Sequence, residues 1–526
     1  MADDSFKQSG TVFLVGAGPG HPGLITRLGF DLLQRCDAVA YDALIPMELI
    51  ASLPVRVEKH YVGKRSGKHS LPQSKINELL VTLAKRGLTV VRLKGGDPSI
   101  FGRCGEEIDY LTKAGIKVVT VPGVTAASAA AAMTGFSLTN RHAASWIFMA
   151  TGHGAESASI PVPWDQVAAL PGGTLVIYMG LAKLEQLVSQ LLSSGLQPET
   201  PSMVVQAAST GLQMSVEAPL SRLAFECKRR GLIPPALVII GEAVHSLTES
   251  ARTESVGLKG KRVLVPCMPQ KTNRLCEILR AEGAEPIPYP TVSRTQFEDR
   301  EGWGRCLETM SDNALCLFTG DVEVDSFVDQ LLARGLDLRS LSRLKIIAWG
   351  VSTNTALLRR GIRADAVVDP QDSSLLSSCL LKLDPDGSMP LLWPRNRSEE
   401  PALESQLLHS RAGVTSLTVC GQSTAEWESH WGHELISKPP DYIAFTESGE
   451  VAGFFELLGD DVARHLAGKC LIAALDDSIA EALRQRGLKV HVKANSGSLG
   501  ELVGALIEYS KARVTETAIS SVCGSA

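Results

Sequence analysis

The sequence predicts an α/β protein, with two α/β subdomains in its first half and two similar α/β domains in its second. Three observations carry that reading. Short apolar strands alternate with helical patterns and break on loops of glycine, proline and acid. A polar stretch near residue 250 divides the chain. Behind it, segments recur at a nearly constant offset.

The first half is organised around Leu88–Lys94, an apolar, β-branched run that ends at Gly95-Gly96-Asp97-Pro98 and continues as Ser99-Ile100-Phe101-Gly102-Arg103. Such a run reads as a buried strand of a parallel sheet. Paired glycines let a ligand approach the main chain closely, and Pro98 pushes Asp97 into extended backbone. The loop stands at the carboxyl end of a strand, where open α/β sheets bind ligands.

The other elements follow in order. Thr11–Val15 is a strand that opens on Gly16-Ala17-Gly18-Pro19-Gly20-His21-Pro22-Gly23. This loop fails the G-x-G-x-x-G spacing at His21, and Pro19 and Pro22 interrupt the turn, so a nicotinamide cofactor is the weaker reading. Ala38–Tyr41 is a strand ending at Asp42. An acid in that place serves as a base, a ribose ligand or a helix cap. Val62-Gly63-Lys64-Arg65 closes the next extended piece. Gln73–Lys85 is an amphipathic helix stopped by Gly87. Val118–Val121 runs through Pro122-Gly123 into a helix that starts near Thr125-Ala126. Several strand ends thus converge on one edge, which favours a ligand site. Ala144–Ala150, Thr174–Met179, Ser202–Ala207 and Ala236–Ile240 are the strands of a second unit.

His245–Gly260 is polar and reads as a linker. The repeat follows it. Val263-Leu264-Val265-Pro266 matches Leu391-Leu392-Trp393-Pro394 at an offset of 128 (Pro394 against Pro266). Phe318-Thr319 matches Phe445-Thr446 at 127, and Ala356–Gly361 matches Ala482–Gly487 at 126. Two similar domains with a cleft between them are expected, and the Phe-Thr segments place hydroxyls and backbone N–H groups at strand ends. His430 and His433 read as part of a solvated loop rather than a metal site, and no metal is expected.

Composition narrows the function. Apolar residues make up 44% and charged residues 21%, as in ordinary globular proteins, and the formal net charge is −5. No basic footprint for nucleic acid is present. The 11 cysteines are odd in number and hold no C-x-x-C pair, which favours free thiols in a reducing compartment. No apolar run reaches membrane-spanning length, and the acidic start lacks a secretory pattern. A cytoplasmic protein with no membrane partner is expected.

Two families are resembled, head to tail. Residues 10–245 resemble the uroporphyrinogen-III C-methyltransferases of the tetrapyrrole methylase group in VGAGPGHPGLIT, VAYDALI, YVGKRSGKHSLPQ, VVRLKGGDPSIFGR, VPGVTAASAAAA, IYMGL and PPALVIIGEAV. The resemblance implies a two-subdomain methylase fold, with subdomains of about 10–142 and 143–245, and a linker over 246–260. Residues 261–512 resemble uroporphyrinogen-III synthase, chiefly through the repeat. Cys104 departs from the methylase pattern, where a Gly is usual, as does Gln206–Ser209, where Asn-Gly is common.

The resemblance implies S-adenosylmethionine as cofactor, methylation of uroporphyrinogen III at C2 and C7 to precorrin-2, and cyclisation of hydroxymethylbilane to uroporphyrinogen III. Asp42 falls at the proposed proton acceptor and Lys64 at the proposed donor. Cofactor contacts fall on Pro19, Gly95, Gly96, Asp97, Ile100, Thr125, Ala126, Met179 and Ala208. Arg92 and Arg103 are candidates for the substrate's carboxylates. In the second half the candidates are Thr319, Ser352, Thr353, Thr446, Ser448 and Ser478. Cys420 stands where the synthase family often has a Tyr that reaches the cleft. A homodimer through the methyltransferase half is expected. The alternative is a methyltransferase joined to a non-catalytic, tetrapyrrole-binding synthase-like half.

Overall fold

In a computed structural model of the chain, the described residues are 10–523 apart from 55, 64–70, 153–161, 247–256, 268, 312, 370–372, 398–402, 406, 408–412 and 496. Five strands form the first sheet: β1 (Thr11–Gly16), β2 (Ala38–Tyr41), β3 (Glu58–Tyr61), β4 (Val90–Lys94) and β5 (Lys117–Val121). All are parallel, in the order β3-β2-β4-β1-β5, so their carboxyl ends share one edge. β4 lies in the middle and is buried along its whole length, as its apolar run requires. The helix Gln73–Lys85 buries Ile76, Leu80, Leu83 and Ala84 at helical spacing. Gly87 ends it with φ at 83°, a conformation open to glycine. The alanine run forms the helix Ala126–Thr134, whose small side chains let it pack closely.

The second sheet holds β6 (Trp146–Thr151), β7 (Gly173–Tyr178), β8 (Pro201–Gln206), β9 (Met214–Pro219) and β10 (Ala236–Ile240), in the order β6-β7-β10-β8-β9. Only β6 and β7 are parallel. β9 escaped the sequence reading. It is an edge strand with Val216 as its one buried residue, so it lacks the apolar alternation that marks a strand.

Eleven strands follow: β11 (Arg262–Val265), β12 (Glu285–Pro288), β13 (Val292–Gln296), β14 (Ala314–Phe318), β15 (Leu344–Trp349), β16 (Ala366–Val368), β17 (Leu391–Asn396), β18 (Val414–Thr424), β19 (Tyr442–Phe445), β20 (Leu471–Ala474) and β21 (Val492–Lys493). The sheets do not follow the sequence repeats. One is ordered β12-β11-β19-β20-β21 and the other β13-β18-β17-β14-β15-β16, so each draws strands from both copies. The chain therefore divides into two compact units, residues 1–290 with 427–526, and residues 291–426.

Within the first unit, the methylase-like part and the β11-containing sheet share a core. Tyr41, Ile45, Leu49, Ile50 and Leu53 lie in one buried cluster with Ile287, Tyr289, Trp431 and Leu435. Among the described residues, no helix is long and apolar enough to cross a membrane.

Candidate active site

The loops after β1, β4 and β5 are locked together at the carboxyl edge of the first sheet. Gly18 and Gly96 exchange backbone hydrogen bonds at 3.2 and 2.8 Å. A Cβ on Gly123 would stand 2.3 Å from the Gly96 carbonyl oxygen and 2.8 Å from the Gly16 Cα. No other residue fits there without moving backbone. Asp97 ties the same loops. Its Oδ2 accepts the Gly123 N–H at 2.9 Å, while Oδ1 accepts the Ser99 N–H at 2.7 Å and the Ser99 hydroxyl. Burial works to raise the Asp97 pKa, but the bonds from Ser99 and Gly123 outweigh it and hold the carboxyl below its ordinary value.

The second sheet completes the rim. Tyr178, the last residue of β7, shares a 2.6 Å hydrogen bond with Thr125 and accepts the Ala127 N–H at 3.3 Å. Its ring lies 4.9 Å from that of Phe101. The loop after β8 meets the loop after β1, where His21 N–H donates to Ser209 Oγ at 3.1 Å. Pro19, Gly95, Gly96, Asp97, Ile100, Thr125, Ala126, Met179 and Ala208 therefore sit in the loops that these contacts draw together. Tyr178 was missed as a linking residue. It lies inside the quoted IYMGL stretch, and only its position as the last residue of a strand before Met179 signalled it.

The backbone is strained at this rim. Phe101, Arg103, Met179, Ala207 and Ser209 have φ of 53°, 54°, 56°, 46° and 68°. Among the described residues they are the only non-glycine residues with positive φ, and all five lie in the loops that follow β4, β7 and β8. Each such residue costs about 1–3 kcal/mol and persists only where its surroundings enforce it. Met179 is half exposed beside this strain.

Asp42 is held from behind. Arg92 Nη2 donates to Asp42 Oδ1 at 2.8 Å, and Arg92 Nε to Glu107 Oε1 at 3.3 Å. Lys94 Nζ donates to Glu107 Oε2 at 2.9 Å, and Gln73 to Glu107 Oε1 at 3.0 Å. Arg92, Lys94 and Glu107 are all buried. Arg92, expected at a substrate carboxylate, is instead sealed in the sheet by its place on the central strand. Glu107 was not singled out from sequence, because an acid in a helix usually faces water. Arg103 is exposed and pairs with Glu106 at 2.6 Å, which leaves it at the rim. Lys64 lies outside the described residues. A Cβ on its neighbour Gly63 would stand 2.6 Å from the backbone nitrogen of Ala43, beside Asp42.

The second-half candidates lie at strand ends in separate units. Thr319, Ser352 and Thr353 follow β14 and β15 in one unit; Thr446, Ser448 and Ser478 follow β19 and β20 in the other. Three of the expected donors are already engaged. Thr353 Oγ1 donates to the Trp349 carbonyl at 2.7 Å, Thr446 Oγ1 to buried Glu450 at 2.7 Å, and Ser478 Oγ to Asp476 at 2.7 Å. Thr319, Ser352 and Ser448 have no such bond among the described residues. Cys420 is fully buried in a core with Leu417, Val419 and Phe318, so it lines that core rather than a site. Burial raises the Glu450 pKa to about 7.

Comparison with known proteins gives this geometry its context. The model of the Tetrapyrrole (Corrin/Porphyrin) Methylases matches residues 11–224, and that of Uroporphyrinogen-III synthase HemD matches residues 273–504. The porphyrin biosynthesis protein HemD of Ruminiclostridium josui is 28% identical over 95% of this chain and 98% of its own. The uroporphyrinogen-III C-methyltransferase of Bacillus subtilis is 35% identical over 70% of this chain and 75% of its own. The S-adenosyl-L-methionine-dependent uroporphyrinogen III methyltransferase of Arabidopsis thaliana chloroplasts is 43% identical over 45% of this chain and 64% of its own. The chain belongs to the uroporphyrinogen-III C-methyltransferase family of tetrapyrrole methylases, and carries a uroporphyrinogen-III synthase region behind the methylase.

Proposed function

We propose that the chain carries two activities of tetrapyrrole biosynthesis: S-adenosylmethionine-dependent methylation of uroporphyrinogen III at C2 and C7 to precorrin-2, and closure of hydroxymethylbilane to uroporphyrinogen III. The observation that carries the first is the meeting of strained strand ends from two sheets around a glycine cradle. Backbone approach at Gly16, Gly96 and Gly123 suits a ligand read by main-chain groups. Pro19, Gly95, Gly96, Asp97, Ile100, Thr125, Ala126, Met179 and Ala208 would hold the cofactor, which supplies the methyl group as an electrophilic sulfonium.

The chain's own part is positioning and proton transfer. Asp42 Oδ1 is tied to Arg92. Oδ2 has no partner among the described residues, which supports it as the oxygen that takes the proton lost by the macrocycle as it is methylated. Such help is typically worth about 10²–10⁴-fold. Lys64 is the matching donor, and exposed Arg103 is available to a substrate carboxylate. In the synthase region, Thr319, Ser352 and Ser448 are the hydroxyls left to bind a carboxylate-rich substrate. A cytoplasmic homodimer joined through the methyltransferase half, acting on small tetrapyrroles and not on nucleic acid, completes the reading.

Uroporphyrinogen III incubated with S-adenosylmethionine and the full chain should gain two methyl groups by mass. Asp42→Asn should keep cofactor binding and lose about 10²-fold or more in kcat. Normal turnover in that variant would reduce Asp42 to a structural residue.

A further inference from the structure

Outside the site itself, the synthase region grips the methylase at the residues that lead into its acid–base candidates. Tyr41 is the last residue of β2 and immediately precedes Asp42. Its buried phenol donates a short hydrogen bond to Glu428 Oε1. Tyr61 is the last residue of β3, three positions before Lys64. Its ring stacks on His430 with centroids 3.8 Å apart and planes at 14°. The Tyr41 and Tyr61 rings meet edge to face at 5.4 Å, and His430 Nδ1 lies 3.5 Å from Glu428 Oε2. The four side chains therefore form one closed cluster.

The segment that presents Glu428 and His430 is itself fixed. It opens the helix Ser429–Ser437, not the solvated loop expected from sequence, and His430 is 9% exposed. Trp431 stacks on Tyr289 at 4.8 Å, and Trp427 Nε1 donates to the Pro290 carbonyl at 2.6 Å. Glu428 holds the N-cap place but makes no capping bond. Its carboxylate turns to Tyr41 instead.

A second grip reaches the cofactor rim. Glu285 on β12 accepts the Gly211 N–H at 2.7 Å, three residues beyond Ala208, and Arg280 pairs with Glu48. Interfaces between domains ordinarily carry polar contacts as well as apolar ones, so it is where these contacts fall that matters. Here the polar contacts fall on Tyr41, next to Asp42, and on the loop that carries Ala208.

We infer that Glu428 and His430 are positioning residues for methyl transfer, contributed by the synthase region through Tyr41 and Tyr61. The inference rests on the proposed methyltransferase reading. Removing either should let the loop that carries Asp42 drift. A misplacement of about 1 Å in such a site can cost on the order of a hundred-fold in rate.

The test uses the full chain and uroporphyrinogen III, with kcat, KM and S-adenosylmethionine binding measured separately. Glu428→Ala and His430→Ala should lose about ten- to a hundred-fold in kcat. KM and the cofactor Kd should stay within about two-fold. Glu428→Gln, which keeps an acceptor oxygen for Tyr41, should recover most of the rate, and so should His430→Phe, which keeps the stacked ring. Tyr41→Phe removes a single oxygen and serves if Glu428→Ala does not fold; it should show the same kcat loss. Unchanged kcat in folded Glu428→Ala and His430→Ala, or in Tyr41→Phe if Glu428→Ala does not fold, overturns the inference while the wild type remains active. Equal losses in Glu428→Ala and Glu428→Gln also overturn it. A wild type that transfers no methyl group overturns the function reading and this inference with it.

Discussion

The strand ends of the methylase region and those of the synthase region use their polar groups in opposite ways. In the methylase, a buried Arg92–Glu107–Lys94 network leaves one oxygen of Asp42 unengaged at the edge, and five strained residues stand at the rim. In the synthase region, the hydroxyls of Thr353, Thr446 and Ser478 are spent on local acceptors, the Trp349 carbonyl, Glu450 and Asp476. The two reactions ask different things of their scaffolds. Methyl transfer needs a small cofactor and a base in fixed register, which justifies strain and buried charge. Ring closure needs a folded substrate more than a fixed nucleophile, and few committed donors suffice.

The buried charge is the sharpest contrast, so its removal should have the largest effect. Glu107→Ala leaves buried Lys94 without its carboxylate partner and buried Arg92 with Asp42 as its one remaining carboxylate among the described residues. Stability should fall by about 3–5 kcal/mol in denaturant titration. A loss below about 1 kcal/mol would mean that the network is more solvated than its burial shows.

Cys420 tests the other side. Its place in a packed core means that Cys420→Tyr overfills that core, at about 1–3 kcal/mol or more, and does not improve formation of the type III isomer. Better isomer yield at unchanged Tm would put residue 420 in the site after all.

The cradle comes next. Gly123→Ala forces a Cβ against the Gly96 carbonyl. Calorimetry should find cofactor binding weakened by about ten- to a hundred-fold, with the synthase activity unchanged. Equal binding would show that close backbone approach at Gly123 does not support the cofactor.

The smallest effect is a pH dependence in the synthase region. Burial raises the Glu450 pKa from 4.5 to about 7. Below about pH 4.5 both folded and unfolded states hold the proton, and its contribution is complete. As pH rises towards 7 the unfolded state releases the proton first, so stability declines, and above 7 it levels off. Glu450→Gln should flatten this decline by about 1–3 kcal/mol in Tm-derived stability. Some slope should remain, because burial raises Glu285 to about 7 as well. An unchanged slope would show that Glu450 does not titrate in this window.

The sequence made β1, β4 and β5 legible because they are apolar runs stopped by glycine and proline, and Gln73–Lys85 is readable to the residue. It also showed which loops converge. What it could not show was direction. Arg92 and Cys420 lie on strands whose faces are assigned only by pairing, so the sequence alone points to a ligand at one and a cleft residue at the other, where the fold buries both. Thr353 and Thr446 carry hydroxyls whose partners, Trp349 and Glu450, are a helical turn away, and the choice between an inner and an outer partner is made by packing. The exchange of strands between the repeats was hidden for a similar reason. An offset of 126–128 residues reports similarity of segments, not which sheet each one joins.

A single incubation tests whether one chain both closes hydroxymethylbilane and methylates the product. Hydroxymethylbilane and labelled S-adenosylmethionine are supplied to the full chain, with a no-enzyme control, and products are resolved by isomer and mass. A dimethylated type III product should form well above the spontaneous type I background. Methylation only when uroporphyrinogen III is added ready-made, with nothing but type I from hydroxymethylbilane, would contradict it and leave the synthase region as a binding module.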